Sequence, residues 1–520
     1  MARNFMCTKT DPVVETKAGK LRGFQLDGTY VFHGVKYADA KRFHQPTPVE
    51  PWEGIKNALA YGYVCPMLQQ DQPSNELMVP HRYWLLDENC QYLNIWTQHL
   101  DPNAKKPVLV WLHGGGFAAG SSIEHIAYEG ENMSKYGDVV VISLNHRLNI
   151  LGYLDLSPFG EEYKNSGNAG NADMVAALQW IHENIANFGG DPENVTLFGQ
   201  SGGGMKVWAL MQTPAADGLF HKGVQSGCID HFVSGNSTEQ NGKAIVTALL
   251  AELKLDDVKA LETIPYAQLA AAYNKVAPEV AKTGAYVGGN PLANDWYLGD
   301  PLEVGFTEHA KTIPVMVGTV LGEFSFMPAL SEEEKSDAAL IDSMIEKRYG
   351  AEGKKLKEMF AEVYPDKDVS DVLFMDSIFR APSTDFILKK AQHPESGTYS
   401  YMMTYTFPYD GGHIAWHCSE IPFVFHNTSL VAAYNEPGVT DLLEKQMCDA
   451  WLNFARDGKP SSEDLPEWPA CTADDEATMI FDKKCEVRHN YDHELVALHK
   501  KLAPSPWSHN DDEEEQQIQH

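Results

Sequence analysis

A single serine stands within a run of glycines at residues 199–203, where the chain reads Gly-Gln-Ser-Gly-Gly. A serine hydroxyl is a poor nucleophile until a base accepts its proton. Glycines beside it permit a sharp turn and a close approach of neighbouring backbone. The pattern G-x-S-x-G between a strand and a helix is typical of a nucleophile elbow, so Ser201 is the candidate nucleophile. A plain glycine turn is the alternative interpretation.

Nucleophilic serine chemistry also needs an acid and a base, which follow the serine in that order in folds with such an elbow. The segment TIPVMVGTVLGEF, residues 312–324, offers Glu323 directly after an apolar run, although a glutamate in a surface loop is the alternative. The base is harder to choose because the chain has 20 histidines. His413 and His417 lie in one short stretch, GGHIAWHC, and the residues alone leave both open.

A second glycine cluster, LHGGGFAAGSS at residues 112–122, also follows an apolar run. Acyl transfer turns the attacked carbonyl oxygen into an oxyanion, which fixed N–H donors stabilise. Histidine followed by three glycines after a strand is typical of a loop that supplies such donors. A strand-ending glycine turn is the alternative. The two motifs in this order are more specific than either one alone.

The elements around these motifs predict an α/β fold. The apolar residues of segment 171–188 recur at helical spacing. Apolar and β-branched runs, several of them typical of strands buried on both faces, predict the following strands: 107–112, 138–144, 194–198, 218–227, 312–319 and 398–407. Strands alternating with helices predict a mostly parallel central sheet flanked by helices. Segments 237–298 and 331–392 are expected to be helical insertions over the active site.

The composition excludes several classes of function. The net charge of −31 argues against nucleic acid and anionic membrane surfaces as partners, since phosphate binding needs a basic face. No apolar run reaches the roughly 18 residues of a membrane span. The eight cysteines are scattered, and neither a CxxC pair nor an HExxH motif occurs, so we expect no disulfide framework and no metal site. The N-terminal residues lack an apolar signal segment, which predicts a cytoplasmic protein.

The chain contains no long linker rich in proline, glycine or serine, so we expect one domain over residues 1–505. The chain closes with DDEEEQQIQH, and residues 506–520 are expected to form an acidic, disordered tail. The sequence does not indicate an oligomeric state.

Motifs along almost the whole chain resemble the type-B carboxylesterase family, which includes cholinesterases and bacterial para-nitrobenzyl esterases. They are GVKYADAKRF at 34–43, ENCQYLNIW at 88–96 and FGGDPENVTLFGQSGGG at 188–204. The resemblance implies an α/β-hydrolase fold and a serine mechanism that needs no cofactor and no metal. It also implies a small-molecule ester as substrate.

The resemblance selects the base and the acid. The family pattern H-x-x-E-[LI]-x-[FY]-x-F matches residues 417–425, which implies that His417 is the base. The pattern G-x4-E-G matches from Gly318 and implies that Glu323 is the acid, with Phe324 in place of the last glycine.

The same matching implies roles for several further residues. Gly115, Gly116 and Gly202 would supply the oxyanion N–H groups, and Ser226 would support the triad from behind. Cys65 and Cys90 match the cysteines of an N-terminal disulfide in the family. Here we expect free thiols or a facultative bond.

Together these observations predict a serine carboxylic-ester hydrolase that acts by a Ser-His-Glu triad through an acyl-enzyme, on small to medium esters. A catalytically inactive binding protein of the same family is one alternative, although such a protein is expected to lack the serine, the histidine or the glycine loop. A triad hydrolase acting on thioesters, lactones or amides is the other.

Overall fold

The computed structural model describes residues 3–69, 80–227, 241–325, 330–408 and 411–503. These residues form two compact units. The first comprises the described parts of residues 1–71, 81–314 and 454–459, and the second those of residues 72–80, 315–453 and 460–520. The expected acidic tail at 506–520 lies outside the described residues, and the single domain over 1–505 stays a prediction.

Among the described residues, the first unit contains thirteen strands and eight α-helices. Its strands are β1 (Phe5–Met6), β2 (Val13–Glu15), β3 (Lys20–Arg22), β4 (Phe24–Leu26), β5 (Thr29–Lys36), β6 (Ala38–Asp39), β7 (Thr47–Pro48), β8 (Ile55–Asn57), β9 (Tyr92–Thr97), β10 (Lys106–Leu112), β11 (Val140–Leu144), β12 (Gly190–Gln200) and β13 (Lys222–Ser226). Its helices are α1 (Glu131–Gly137), α2 (Asn149–Tyr153), α3 (Ala169–Asn184), α4 (Gly202–Met211), α5 (Lys243–Leu253), α6 (Tyr266–Ala281), α7 (Pro301–Val304) and α8 (Glu308–Thr312).

The main sheet of the first unit has the order β1-β4-β5-β9-β11-β10-β12-β13. The four neighbouring strands β11, β10, β12 and β13 are parallel. Val110 of β10 lies opposite Ile142 of β11 on one side and Leu197 of β12 on the other. Strands β1, β4, β5 and β9 pair antiparallel with their neighbours in this order, and β9 is also antiparallel to β11. Helix α4 packs on β10, β12 and β13, and α3 packs on β12. Parallel strands end at one edge of a sheet, so the loops after β10, β12 and β13 come together there.

The second unit contains the neighbouring sheet strands β14-β15-β18-β19, in that order, and several helices. Its strands are β14 (Val315–Val320), β15 (Thr398–Met403), β16 (Thr406–Phe407), β17 (His413–Ile414), β18 (Ala477–Phe481) and β19 (Glu486–His489). The helices that follow β14 in the chain are α9 (Glu332–Ser336), α10 (Ala338–Tyr349), α11 (Gly353–Val363), α12 (Arg380–Lys390), α13 (Ile421–Val424), α14 (Thr440–Asp457) and α15 (His493–Leu502). Strands β14, β15 and β18 are parallel, and α12 packs on β14 and β15.

Burial of the central strands confirms the predicted sheet. Every residue of β11, β14 and β15 is buried. For β11 and β14, this explains why the segments are continuous apolar runs rather than alternating ones. Two strand predictions were too long. Within the segment 218–227, only Lys222–Ser226 forms a strand, β13. The segment 398–407 divides into β15 and β16, and β16 pairs with β17 in a separate two-stranded sheet.

The two expected insertions are mostly helical where they are described, although residues 282–298 form no helix. Residues 237–240 of the first lie outside the described residues. In the first, α5 and α6 pack through Ile245, Leu249 and Leu269 in one apolar cluster. In the second, α10 and α11 pack through Ile345 and Phe360 in another. Their place over the active site stays a prediction.

Cys65 and Cys90 are free thiols, buried beside Leu148 and Leu151. Burial and the adjacent Cys65 thiol raise the pKa of Cys90.

Within the described ranges, no helix is long and apolar enough to cross a membrane. The same ranges contain no group of three or more His, Cys, Asp or Glu side chains arranged to hold a metal ion.

Candidate active site

Ser201 lies between the end of β12 and the start of α4 in a strained conformation. Its φ of 56° and ψ of −128° are unusual for a residue with a side chain. The backbone N–H of Ser201 donates to the carbonyl of Ser226 at the end of β13, at 2.8 Å. The strain is therefore held by the neighbouring strand, and it presents the serine on the turn.

The glycines around Ser201 are required by close backbone approach. A Cβ on Gly199 would lie 2.4 Å from the carbonyl carbon of Gly203, and a Cβ on Gly203 would lie 1.9 Å from the oxygen of Leu112. A Cβ on Gly202 would lie 2.3 Å from the nitrogen of Gly116. The strand, the helix and the loop after β10 therefore touch through bare backbone.

The loop after β10 lies against the serine and has defined peptide orientations. Gly115 and Gly116 have φ values of 81° and 59°, which favour glycine. The carbonyl of Gly115 accepts the N–H groups of Ala118 and Ala119, at 3.1 and 3.0 Å. Because the C=O and N–H of a trans peptide point in opposite directions, the N–H of Gly116 faces away from that turn.

In the second unit, Glu323 and His417 form a buried pair. Imidazole Nδ1 of His417 lies 2.5 Å from Oε2 of Glu323. The backbone N–H of His417 also donates to the carbonyl of Glu323, at 2.7 Å, and the N–H of Val320 donates to Oε1 of the carboxylate, at 2.9 Å. These bonds fix both the carboxylate plane and the imidazole edge that faces it.

Burial disfavours charge on both members of this pair. It raises the pKa of Glu323, although the N–H of Val320 and the Nδ1–H of His417 favour the carboxylate. It lowers the pKa of His417 to about 4, although Glu420 and Asp376 oppose the fall. The imidazole is therefore neutral near pH 7. With the carboxylate ionised, the proton sits on Nδ1 and leaves the Nε2 lone pair as a base.

His413 has different surroundings. Its Nδ1 lies 2.7 Å from the carbonyl oxygen of Ile414, the next residue, and its ring meets Trp416 edge-on. His417, one of the two histidines that the residues alone left open, bonds the Glu323 carboxylate.

A family model of carboxylesterases matches residues 10–498. The chain belongs to the carboxylesterase family. The resemblance inferred from the motifs is confirmed, and the protein is a carboxylic ester hydrolase of the α/β-hydrolase fold.

Several relatives of this carboxylesterase cover nearly the whole chain. The para-nitrobenzyl esterase of Bacillus subtilis (strain 168) is 32% identical over 513 residues, or 95% of this chain and 99% of that protein. The phenmedipham hydrolase of Pseudarthrobacter oxydans is 31% identical, over 92% of this chain and 97% of that one. Among solved structures, an esterase from anaerobic Clostridium hathewayi, reported to hydrolyse aliphatic aromatic polyesters, is 55% identical with a TM-score of 0.93. It covers 96% of this chain and 100% of that one.

Two phenylalanines of the carboxylesterase border the imidazole. The ring of Phe324, which replaces the family glycine after Glu323, stacks on His417 with 5.3 Å between ring centroids. Phe379, just before α12, stacks on the same imidazole at 5.5 Å and contacts Phe324 at 5.2 Å. The departure from the family pattern therefore leaves the hydrogen-bonded pair of Glu323 and His417 intact and adds apolar cover to it.

No motif or spacing singles out Asp376 or Phe379 in the sequence. Asp376 is buried, and its carboxylate accepts the backbone N–H groups of Ile378, Phe379 and Arg380. Burial, with the charge of Glu323, raises the pKa of Asp376 to about 7. Asp376 stands alone in the largely apolar segment VLFMDSIF, at 372–379, and no motif marks it.

Two buried arginines have carboxylate partners within the fold. Arg147 bonds Asp173, and both side chains are at most 1% exposed. Arg380 bonds Glu476 and Asp492 with the same degree of burial. Separating either guanidinium from its carboxylate partner would leave a buried charge unpaired, which is strongly unfavourable. Neither guanidinium is therefore available to a substrate anion.

Proposed function

We propose that this carboxylesterase hydrolyses small to medium carboxylic esters with Ser201 as nucleophile, His417 as base and Glu323 as acid. The observation that carries the proposal is the strained conformation of Ser201 in the G-x-S-x-G turn, which is the conformation a nucleophile elbow requires. The buried pair of His417 with Glu323 supports the assignment of the base and the acid.

In the proposed reaction, Nε2 of His417 takes the proton of Ser201 as Oγ attacks the ester carbonyl carbon. The carbonyl π electrons move to oxygen and form an oxyanion, which the N–H groups of Gly115, Gly116 and Gly202 stabilise. Collapse of this intermediate expels the alcohol, which takes the proton from the imidazole. Water then attacks the acyl-enzyme by the same steps and releases the acid. Glu323 keeps the proton on Nδ1 and stabilises the imidazolium.

The reaction needs neither a cofactor nor a metal, because the serine, the imidazole and backbone donors supply every group it uses. The oxyanion donors carry much of the acceleration, since removal of one costs about 2.7–4 kcal/mol in known hydrolases. The Clostridium hathewayi relative, reported to hydrolyse aliphatic aromatic polyesters, supports such polyesters as candidate substrates beside simple alkyl esters.

Ser201→Ala tests the proposal. We expect kcat for para-nitrophenyl esters to fall on the order of 10⁶-fold, because triad residues act as a unit. The melting temperature should change little, since the glycines of the turn remain. A fluorophosphonate should label wild-type protein at Ser201 by forming a phosphorus–oxygen bond and releasing fluoride. A folded variant with a tenth of wild-type activity, or labelling at another serine, would contradict the proposal.

A further inference from the structure

A lysine is buried directly behind the oxyanion loop. Lys206 lies in α4, five residues after Ser201, and its side chain is 0% exposed. Lysine is almost never fully buried without a partner, because its charge loses hydration. Its ammonium donates to the carbonyl of His113 at 2.7 Å and makes a longer contact of 3.5 Å to the carbonyl of Gly114.

The two carbonyls belong to the peptides that lead into the glycine loop. The Gly114 carbonyl also lies 2.9 Å from Nδ1 of His113. A trans peptide holds its N–H opposite to its C=O, so this anchoring fixes the direction of the Gly115 N–H, away from Lys206. Gly114 itself lies over the serine, since a Cβ on it would be 3.4 Å from the Cβ of Ser201.

We propose that Lys206 is a positioning residue for ester hydrolysis: its buried ammonium holds the His113 and Gly114 carbonyls and thereby aims the Gly115 N–H at the oxyanion formed on Ser201. The inference rests on the proposed function, because it takes Gly115 as an oxyanion donor. The ammonium also adds a positive charge behind the loop, in a low-dielectric environment that screens it little.

The two histidines beside Lys206 are neutral, so the positive charge of this cluster of three side chains lies on Lys206. His113 and His146 stack at 5.4 Å, and burial together with Lys206 lowers the pKa of both imidazoles well below the usual range. Burial lowers the pKa of Lys206 itself to about 7, while the carboxylate of Glu124 raises it. The His113 and Gly114 carbonyls, which accept from Nζ, and the Glu124 carboxylate favour the ammonium over the neutral amine.

Lys206→Met tests the inference, because methionine keeps most of the length of the lysine side chain and removes the charge and the N–H donors. The probes are a para-nitrophenyl ester and an alkyl trifluoromethyl ketone. Ser201 adds to the ketone carbonyl, its proton passes to His417, and the ketone oxygen becomes an oxyanion without a leaving group. Inhibition by the ketone therefore measures oxyanion stabilisation apart from turnover.

We expect Lys206→Met to lower kcat and ketone affinity together, by about 10- to 100-fold, which is less than the loss of a direct oxyanion donor. KM should change less than about threefold, because the loop acts on the transition state rather than on the bound ester. Lys206→Gln keeps an N–H donor without the charge, and we expect a smaller loss of both quantities.

Lys390→Met is the matched control. Lys390 is also buried, and burial lowers its pKa to about 8, but its ammonium bonds Ser396 within its own segment of the chain. Its kcat and ketone affinity should stay within about twofold of wild type, even if its melting temperature falls.

Wild-type kcat and ketone affinity in folded Lys206→Met would overturn the inference, and so would a loss of kcat with unchanged ketone affinity. If Lys206→Met does not fold, Lys206→Gln decides by the same two measurements. Failure of the proposed function gives a different result: the ketone would not inhibit the wild-type protein, or it would still bind covalently to Ser201→Ala.

Discussion

Replacement of Glu323 by glutamine tests whether the carboxylate sets the proton position on His417. In the wild-type structure Oε1 accepts the N–H of Val320 at 2.9 Å, and Oε2 lies 2.5 Å from Nδ1 of the imidazole. Only an acceptor can face the Val320 N–H, so the glutamine carbonyl oxygen must take the Oε1 position. The NH2 group then faces Nδ1, which must present its lone pair and leave the proton on Nε2.

An imidazole protonated at Nε2 cannot accept the proton of Ser201. We therefore expect kcat to fall about 10⁴-fold, as it does when the acid of a comparable serine triad becomes an amide. At 1.36 kcal/mol per tenfold change in rate, this is about 5.5 kcal/mol of lost transition-state stabilisation. The loss should appear in kcat for para-nitrophenyl esters, with KM nearly unchanged.

Asp376→Asn is the control for this experiment. Asp376 is a buried carboxyl like Glu323, but it accepts backbone N–H groups at the start of α12. Its conversion to asparagine should cost less than about tenfold in kcat, since it sets no proton on the base. If folded Glu323→Gln keeps more than a tenth of wild-type kcat, or loses no more than Asp376→Asn, the proton-positioning argument is wrong.

Three further predictions follow from the structure. Gly202→Ala should lower kcat about 100-fold, because its Cβ would lie 2.3 Å from Gly116 and shift the loop by roughly 1 Å. In Gly223→Ala the Cβ would meet a Val207 methyl at 3.0 Å, so kcat should stay within about threefold of wild type. Equal losses of kcat in the two variants would refute the argument. Since burial lowers the pKa of His417, which is active when neutral, kcat/KM should fall only below pH 6.5, toward pH 4; half-loss at pH 6.5 or above would contradict this. The net charge of −31 should favour neutral or cationic esters over carboxylate-bearing ones at low salt, and an anionic ester preferred in a salt-sensitive way would contradict it.

The sequence predicted the central strands and the helices α3 and α4 because these elements have local causes. Continuous apolar runs are typical of strands buried on both faces, and β11 and β14 are such strands. The glycines around Ser201 could be interpreted for the same reason, since a backbone contact at that position excludes a Cβ whatever surrounds it. Family membership was also readable, because motifs along the whole chain carry it.

Tertiary structure decided which distant residues meet. The pairing of Glu323 with His417 joins residues 94 positions apart. The family patterns around the two residues implied their roles, but no local pattern gives the contact between them. Lys206 gives no local signal either, because a lysine on a helix is usually exposed. Its burial depends on α4 packing against the end of β10, which brings the His113 carbonyl to its ammonium. Local periodicity specifies elements, whereas the partners of a buried charge are specified only when those elements pack.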